Sequence, residues 1–272
     1  MPFTFSHPAA VLPLRRRFKA LQTVPLIVGS VAPDLPYYVP ARLNRYTPSW
    51  LYHFTLDTHT FSGALWADVP IGMVTLLLVF LFRRPLTVLL APRARTLCLE
   101  SVEHFQRQPL HWLLAPVAIL VGTWTHLLWD SFTHDNGFMV RRVAALSAPV
   151  NIGSYTGTMC HVLQYVSSVA GLLILWIWYR RLPTPPAEPA GASTLSLGKR
   201  TVLLVLICAA AAAVGAYRSY EASLDDATTT YRVIYVLLVR SITWFALLYL
   251  AVGLLVTFTH RRPEPVAETQ TR

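Results

Sequence analysis

Three side chains at four-residue spacing carry the first chemical signal: His126, Asp130 and His134 in GTWTHLLWDSFTHDNG. Positions i, i+4 and i+8 share one face of a helix. Two imidazoles and a carboxylate on one stripe suit a divalent metal such as Zn, and neutral imidazole needs no counter-charge in a low dielectric. The same spacing could simply hydrogen-bond neighbouring helices together, which is the ordinary reading of a lone His in an apolar segment. A triplet of ionisable groups in such a segment is costly and points to a site.

Further segments bring matching residue types. FTFSHPAA holds His7, and GSVAPDLPYY holds Asp34 at the end of a short apolar run, where a solvated helix terminus is the alternative. FTLDTHTFSGALWADVP holds His59 just before an apolar run and Asp68 one or two turns inside it, where an unpaired carboxylate is expensive. His53 and Asp57 lie near enough to substitute, or belong to a wet loop. His161 opens a later apolar run as a further ligand or orienting group, while His104, His111 and His260 read as interfacial. Arg240, in the middle of an apolar run, must pair or snorkel. Glu221, Asp225 and Asp226 are its candidate partners, an anionic lipid head group the alternative. Trp124, Trp129, Trp176, Trp178 and Trp244 read as interface anchors and packing. No GxSxG, P-loop or GxGxxG string occurs, and Cys98, Cys160 and Cys208 follow no metal or redox spacing.

The elements that must position these residues are membrane spans. Of 272 residues, 54% are hydrophobic and 13% charged, too apolar for a soluble domain of this size. Crossing a hydrocarbon layer of roughly 30 Å takes about 20 residues, and apolar runs near 65–82, 110–132, 158–179, 201–217 and 233–259 qualify. Residues 4–19 and 21–33 are too short and Pro-broken to span. They read as a re-entrant or tilted helical pair, tolerated in lipid only when protein covers its backbone. The expected fold is an all-α polytopic membrane helical bundle of five to six spans. Residues 1–181 form the unit with the site, 182–200 a Pro-rich linker, 201–260 a two-span tail and 261–272 a terminal tail. Pro2, Pro8, Pro13 and then Arg15–Arg17 interrupt the start, so no cleavable signal peptide is expected and insertion uses internal spans.

The +10 charge balance does not imply nucleic acid, because the basic residues sit in short clusters between apolar runs. Residues 83–109, 180–200 and the tail after His260 hold Arg and Lys clusters and read as cytoplasmic; 35–64, 133–157 and 218–232 hold two basic residues each and read as outward-facing. Asp34, His59, His126, Asp130 and His134 then converge on the outer side of a multi-pass cell-membrane protein.

On MPFTFSHPAAVLPL, GSVAPDLPYY, HTFSGALWADVP and GTWTHLLWDSFTHDNG, over most of residues 1–180, the chain resembles the bacterial membrane family of domain of unknown function 4184. More distantly, an early His, an Asp after a Pro, a His before a span and an H-x-x-x-D helix are similar to membrane-bound metal-dependent hydrolases, themselves similar to zinc-dependent phospholipase C. The resemblance implies His7, Asp34, His59, His126 and Asp130 as metal ligands, with His134 an addition. The chain departs from the hydrolase pattern at DTHTF, where a second preceding His is usual, and this bears on the number of metals. The resulting expectation is a Zn-like metal-dependent hydrolase acting on a lipid-linked or phosphoester substrate, with membrane lipids as partners and Asp68 or His134 as general base or acid. The alternatives are a transporter or ion-binding protein using the same cluster, and a structural membrane module without catalysis.

Overall fold

In the computed structural model, residues 3–18, 20–39, 57–153, 155–184, 195–224 and 230–259 are described. A 3₁₀ turn, Thr4–Ser6, leads into α1 (Pro8–Arg17), opened by a proline whose missing N–H costs nothing at the first helical position. The apolar α2 (Thr23–Val31) runs on into a 3₁₀ segment, Ala32–Tyr38, where Pro33 and Pro36 have no N–H to continue an α-helical ladder. A short 3₁₀ turn, Asp57–His59, precedes a π-helical turn, Ala64–Asp68, that feeds α3 (Val69–Leu81). Then follow α4 (Arg83–Thr87), α5 (Pro92–Gln106), α6 (Pro109–Thr133), α7 (Met159–Arg181), α8 (Leu197–Ser223) and α9 (Thr230–Thr259). Between α6 and α7 lies an antiparallel hairpin, β1 (Pro149–Ile152) and β2 (Tyr155–Thr158), with Pro149 opposite Thr158 and Gly153 at φ +59° in the turn.

The chain is an all-α polytopic helical bundle. Five helical stretches among the described residues are long and apolar enough to cross a membrane: Ala64–Leu81, Pro109–Thr133, Met159–Arg181, Leu197–Ser223 and Arg232–Thr259. Their outward faces agree with lipid as solvent, since Leu65, Val74, Leu77, Leu81, Leu113 and Val169 are each more than half exposed. One expected boundary moves. The 201–217 run is the middle of a helix spanning Leu197–Ser223, because Ser196 caps its start by accepting from the Lys199 N–H and nothing in RSYEAS breaks the ladder before Leu224.

Two compact units form, residues 1–81 with 100–184 and residues 82–99 with 185–272. In the first, α2 lies against α6 at van der Waals limit. A Cβ on Gly29 would stand 2.1 Å from the Ile119 carbonyl oxygen, and one on Gly122 would stand 2.3 Å from that of Leu26. Small residues permit this approach, as at many membrane helix crossings. The core beside it joins Val28, Leu76, Phe80, Phe105, Ala115 and Ile119. At the other side, Gly171 of α7 accepts the Ser6 backbone closely and Ser168 Oγ accepts from the Phe3 N–H at 3.0 Å, which seats the N-terminus. In the second unit α8 packs on α9, with Val88, Leu89, Ile207 and Val256 buried together. There Arg200 donates to the Leu90 carbonyl at 2.9 Å. Arg240 is partly buried, and Glu221 pairs with Arg218 at 2.7 Å. Asp225 and Asp226 lie outside the described residues.

Candidate functional site

The close α2–α6 crossing turns the last turns of α6 toward the 3₁₀ segment that follows α2. Thr123 Oγ1 donates to the Gly29 carbonyl at 3.1 Å, and one turn later His126 Nδ1 donates to the Ser30 carbonyl at 2.8 Å. That bond settles the tautomer of a neutral His126: Nδ1 carries the hydrogen and Nε2 carries a lone pair. Nε2 faces Asp130 Oδ2 at 3.3 Å and Asp34 Oδ1 at 3.6 Å, with no hydrogen-bond partner among the described residues. A lone pair held against two carboxylates is repulsive unless a proton or a cation lies between them.

Two more imidazoles aim Nε2 at the same carboxylates. His59 Nε2 is 3.2 Å from Asp34 Oδ1 and 3.9 Å from Asp130 Oδ2, its Nδ1 held by the Thr58 hydroxyl at 3.2 Å. His7 Nε2 is 3.5 Å from Asp130 Oδ1, and the His7 ring stacks on His126 at 3.8 Å between centroids. Neither His7 nitrogen has a hydrogen-bond partner among the described residues, although the side chain is fully buried. Burial, reinforced by neighbouring His126, pushes the His7 imidazole down to about 3, so the ring is neutral. Asp34 shows the opposite balance. Burial pushes it up, but the His59 hydrogen bond, the nearby His126 and the Thr4 hydroxyl, which donates to Oδ2 at 2.6 Å, together hold it below the ordinary carboxylate range.

The arrangement therefore brings together His7, Asp34, His59, His126 and Asp130. Within it the ligand atoms of His7, Asp34 and His126 all lie within 4.8 Å of one another, as do those of His59, His126 and Asp130. Because one Nε2 serves only one ion, the two triads sharing His126 could together hold a single divalent cation. Orphaned buried nitrogens and oxygens in a native core need an explanation, and a cation at their centre supplies one for His7, His126 and Asp130 alike.

His134 sits differently from its expected place on the helical stripe. The α-helix ends at Thr133 and His134 is extended (φ −121°, ψ 141°), because the Asp135-Asn136-Gly137 turn takes over and Gly137 N–H donates to the His134 carbonyl. His134 still reaches back, with Nδ1 3.1 Å from the Asp130 carbonyl and 3.8 Å from Asp130 Oδ2. Burial lowers its imidazole below the ordinary range, though a third of the side chain remains open. Asp68 is fully buried at the end of the π-helical turn, and neither carboxylate oxygen has a hydrogen-bond partner among the described residues. It interacts electrostatically with His126 and Asp34.

Among the other candidates, His111 is committed to the Phe105 carbonyl at 3.2 Å and His161 turns to Asp135 at 3.2 Å. His53 and His260 lie outside the described residues. The residues missed from sequence are those that hold the cluster from behind: Thr4, Ser30 and Thr58, with Tyr38 hydrogen-bonded to Thr4 at 2.8 Å. The Thr58–His59 neighbour relation could have been noticed. The Ser30 carbonyl carries no side-chain signal.

The family model of the Domain of unknown function (DUF4184) matches residues 1–257. The chain belongs to this family. No curated protein and no solved structure matches it. In this DUF4184 chain the match runs through both compact units, and the His/Asp cluster falls wholly within the first.

Proposed function

We propose that the chain is a metal-dependent membrane hydrolase acting on a lipid-linked ester or phosphoester at the outer membrane face. The observation that carries this reading is the His126 geometry: a ring that donates from Nδ1 to the Ser30 carbonyl, turns Nε2 to two carboxylates and stacks on the neutral His7 imidazole. The donor set of three imidazoles and two carboxylates suits a Zn-like divalent ion. His7, Asp34, His59, His126 and Asp130 would hold it. When bound, such an ion supplies Lewis acidity toward a phosphoryl or carbonyl oxygen and lowers the pKa of a nearby water to about 7.

The remaining chemistry belongs to the chain. Asp34 and Asp130 would neutralise the cation, while Ser30 and Thr58 fix the rings that would face it. Asp68, buried and without a hydrogen-bond partner, is the group available to take a proton inside the site. His134 stands at the open rim with its Nδ1–H turned to the Asp130 carbonyl, so its Nε2 carries the lone pair and, once it has taken up a proton there, is the atom that returns it to a departing group. His59 and His134 are the partly exposed members of the cluster, and the exposed Phe61–Trp124 stack, with rings 5.1 Å apart, lies on the same two segments. Aromatic pairs of this kind sit at the lipid–water boundary, where an amphiphilic substrate presents its head group.

A relay across the membrane needs polar groups along its path. In the first unit the buried ionisable residues gather instead at one end of α6, and His111 toward the other end is spent on a backbone carbonyl. The deciding measurement is the metal content of chelator-free, detergent-purified protein beside His126→Ala and Asp130→Ala, followed by turnover of lipid phosphoesters. A stoichiometric ion lost in both variants, with turnover lost alongside it, is the expected result. Absence of metal from the wild type would refute the proposal.

A further inference from the structure

Beyond this cluster, a second group of metal-ligating side chains meets where the α6–α7 connection returns to α7. Asp135 lies just after α6, and Cys160 and His161 lie in the first turn of α7. Asp135 Oδ2 is 3.2 Å from His161 Nε2 and Asp135 Oδ1 is 3.4 Å from Cys160 Sγ. One ligand atom from each of the three residues lies within 4.8 Å of the other two. For metal–ligand bonds of about 2.0 to 2.3 Å, the edges of a tetrahedron around the ion come to roughly 3.3 to 3.6 Å; the two contacts to the Asp135 carboxylate, one at each oxygen, are near that spacing, and the third edge lies within 4.8 Å.

The first residue before α7 supports a ligand role. Thr158 is the N-cap of α7, a position where a threonine hydroxyl usually accepts from the helix's free N–H groups. Here it makes no such cap. Its hydroxyl faces inward instead, 3.1 Å from Cys160 Sγ, 3.3 Å from Asp135 Oδ1 and 3.3 Å from His161 Nδ1. It donates to Asp135 Oδ1 and can accept from His161 Nδ1–H. The contact at Nδ1 leaves His161 Nε2 turned to Asp135, in the manner of an oriented metal-binding imidazole.

We infer that Asp135, Cys160 and His161 form a second metal site, for a thiophilic divalent cation of the zinc class, distinct from the His/Asp cluster. Thiolate, imidazole and carboxylate are three donors of the set that zinc takes, and they leave a fourth position open. The thiol proton is released as the metal–sulfur bond forms. The site is graded in exposure: Cys160 is fully buried, His161 is about one-third open and Asp135 is 60% exposed at its side chain. A cation can therefore arrive from solvent at the carboxylate and seat against the sulfur. Asp135 follows His134, which touches Asp130, so one dipeptide borders both groups.

The test uses the full-length, detergent-purified chain loaded with Co(II) as a spectroscopic probe. Cys98 and Cys208 are exposed and are changed to Ser to form the background protein. The His/Asp cluster has no sulfur, so a thiolate-to-cobalt charge-transfer band reports the second site alone. The band is expected in the background protein and in that protein carrying His126→Ala. Adding Cys160→Ser abolishes it, and Asp135→Asn, at an exposed position, weakens Co(II) affinity read at the band by roughly tenfold or more. No band in the background protein, a band surviving Cys160→Ser, or unchanged affinity in Asp135→Asn would overturn the assignment and leave a hydrogen-bonded cluster.

Discussion

Replacing Gly29 by alanine tests whether the α2–α6 crossing builds the His/Asp cluster. The added methyl would stand 2.1 Å from the Ile119 carbonyl oxygen and 2.7 Å from its carbon, all of it backbone that cannot swing aside. An ordinary carbon–oxygen contact is about 3.3 Å, so the two helices must separate by about 1 Å. The same segment carries the Ser30 carbonyl, 2.8 Å from His126 Nδ1, and leads directly to Asp34, 3.6 Å from His126 Nε2. A 1 Å retreat takes the Ser30 bond beyond hydrogen-bonding range and spreads the donor atoms past the tolerance of about 0.5 Å that a preorganised site allows. Overpacking of this kind costs about 1 to 3 kcal/mol of stability, and loss of the orienting partner lowers metal affinity roughly 10- to 100-fold. Affinity is read by competition with a chromophoric chelator in detergent, alongside the thermal midpoint. Gly198→Ala is the matched control, because a Cβ there meets nothing within 4 Å, and it should leave both readings unchanged. A Gly29→Ala protein that folds and binds metal within twofold of wild type would refute the claim that this crossing positions the site.

Asp68→Asn should keep metal stoichiometry while lowering phosphoester turnover at least about tenfold, since the carboxyl is outside the ligand set and serves proton transfer; loss of bound metal in this variant would instead place Asp68 among the ligands. Thr58→Val should weaken metal binding less than His59→Ala does, because it frees the His59 ring without deleting Nε2; equal losses would count against an orienting role. The apo protein should lose stability as pH falls from about 6.5. His7 is held down to about 3, so between its ordinary range and that value the unfolded chain binds a proton that the folded chain does not, and stability rises with pH there. The full difference is of order 5 kcal/mol by pH 3. A thermal midpoint of chelator-treated protein that falls between pH 6.5 and 5, with a shallower fall in His7→Phe, is the expected pattern, and identical slopes would contradict it.

Much of the candidate cluster was legible from residue types and spacing. His126 and Asp130 are one helical turn apart, and that local relation survives folding because α6 is continuous through both. His134 departs from its local spacing. A regular helix would extend the stripe, but the Asn136-Gly137 turn ends α6 one residue earlier, and the imidazole returns to Asp130 from an extended backbone. Of the second group only His161 was legible as a candidate: Asp135 and Cys160 are separated by 25 residues, and the hairpin between them brings the two into contact.

Hydrophobic length, basic clusters and the cost of ionisable groups in apolar runs are properties of short stretches of chain, so span number and the His126/Asp130 stripe could be read directly, while the five-residue ligand set was what the resemblance implied. Which imidazole nitrogen faces inward could not be read from sequence. It depends on the Ser30 carbonyl meeting a side chain 96 residues away, and that meeting exists only because Gly29 and Gly122 let two helix backbones touch.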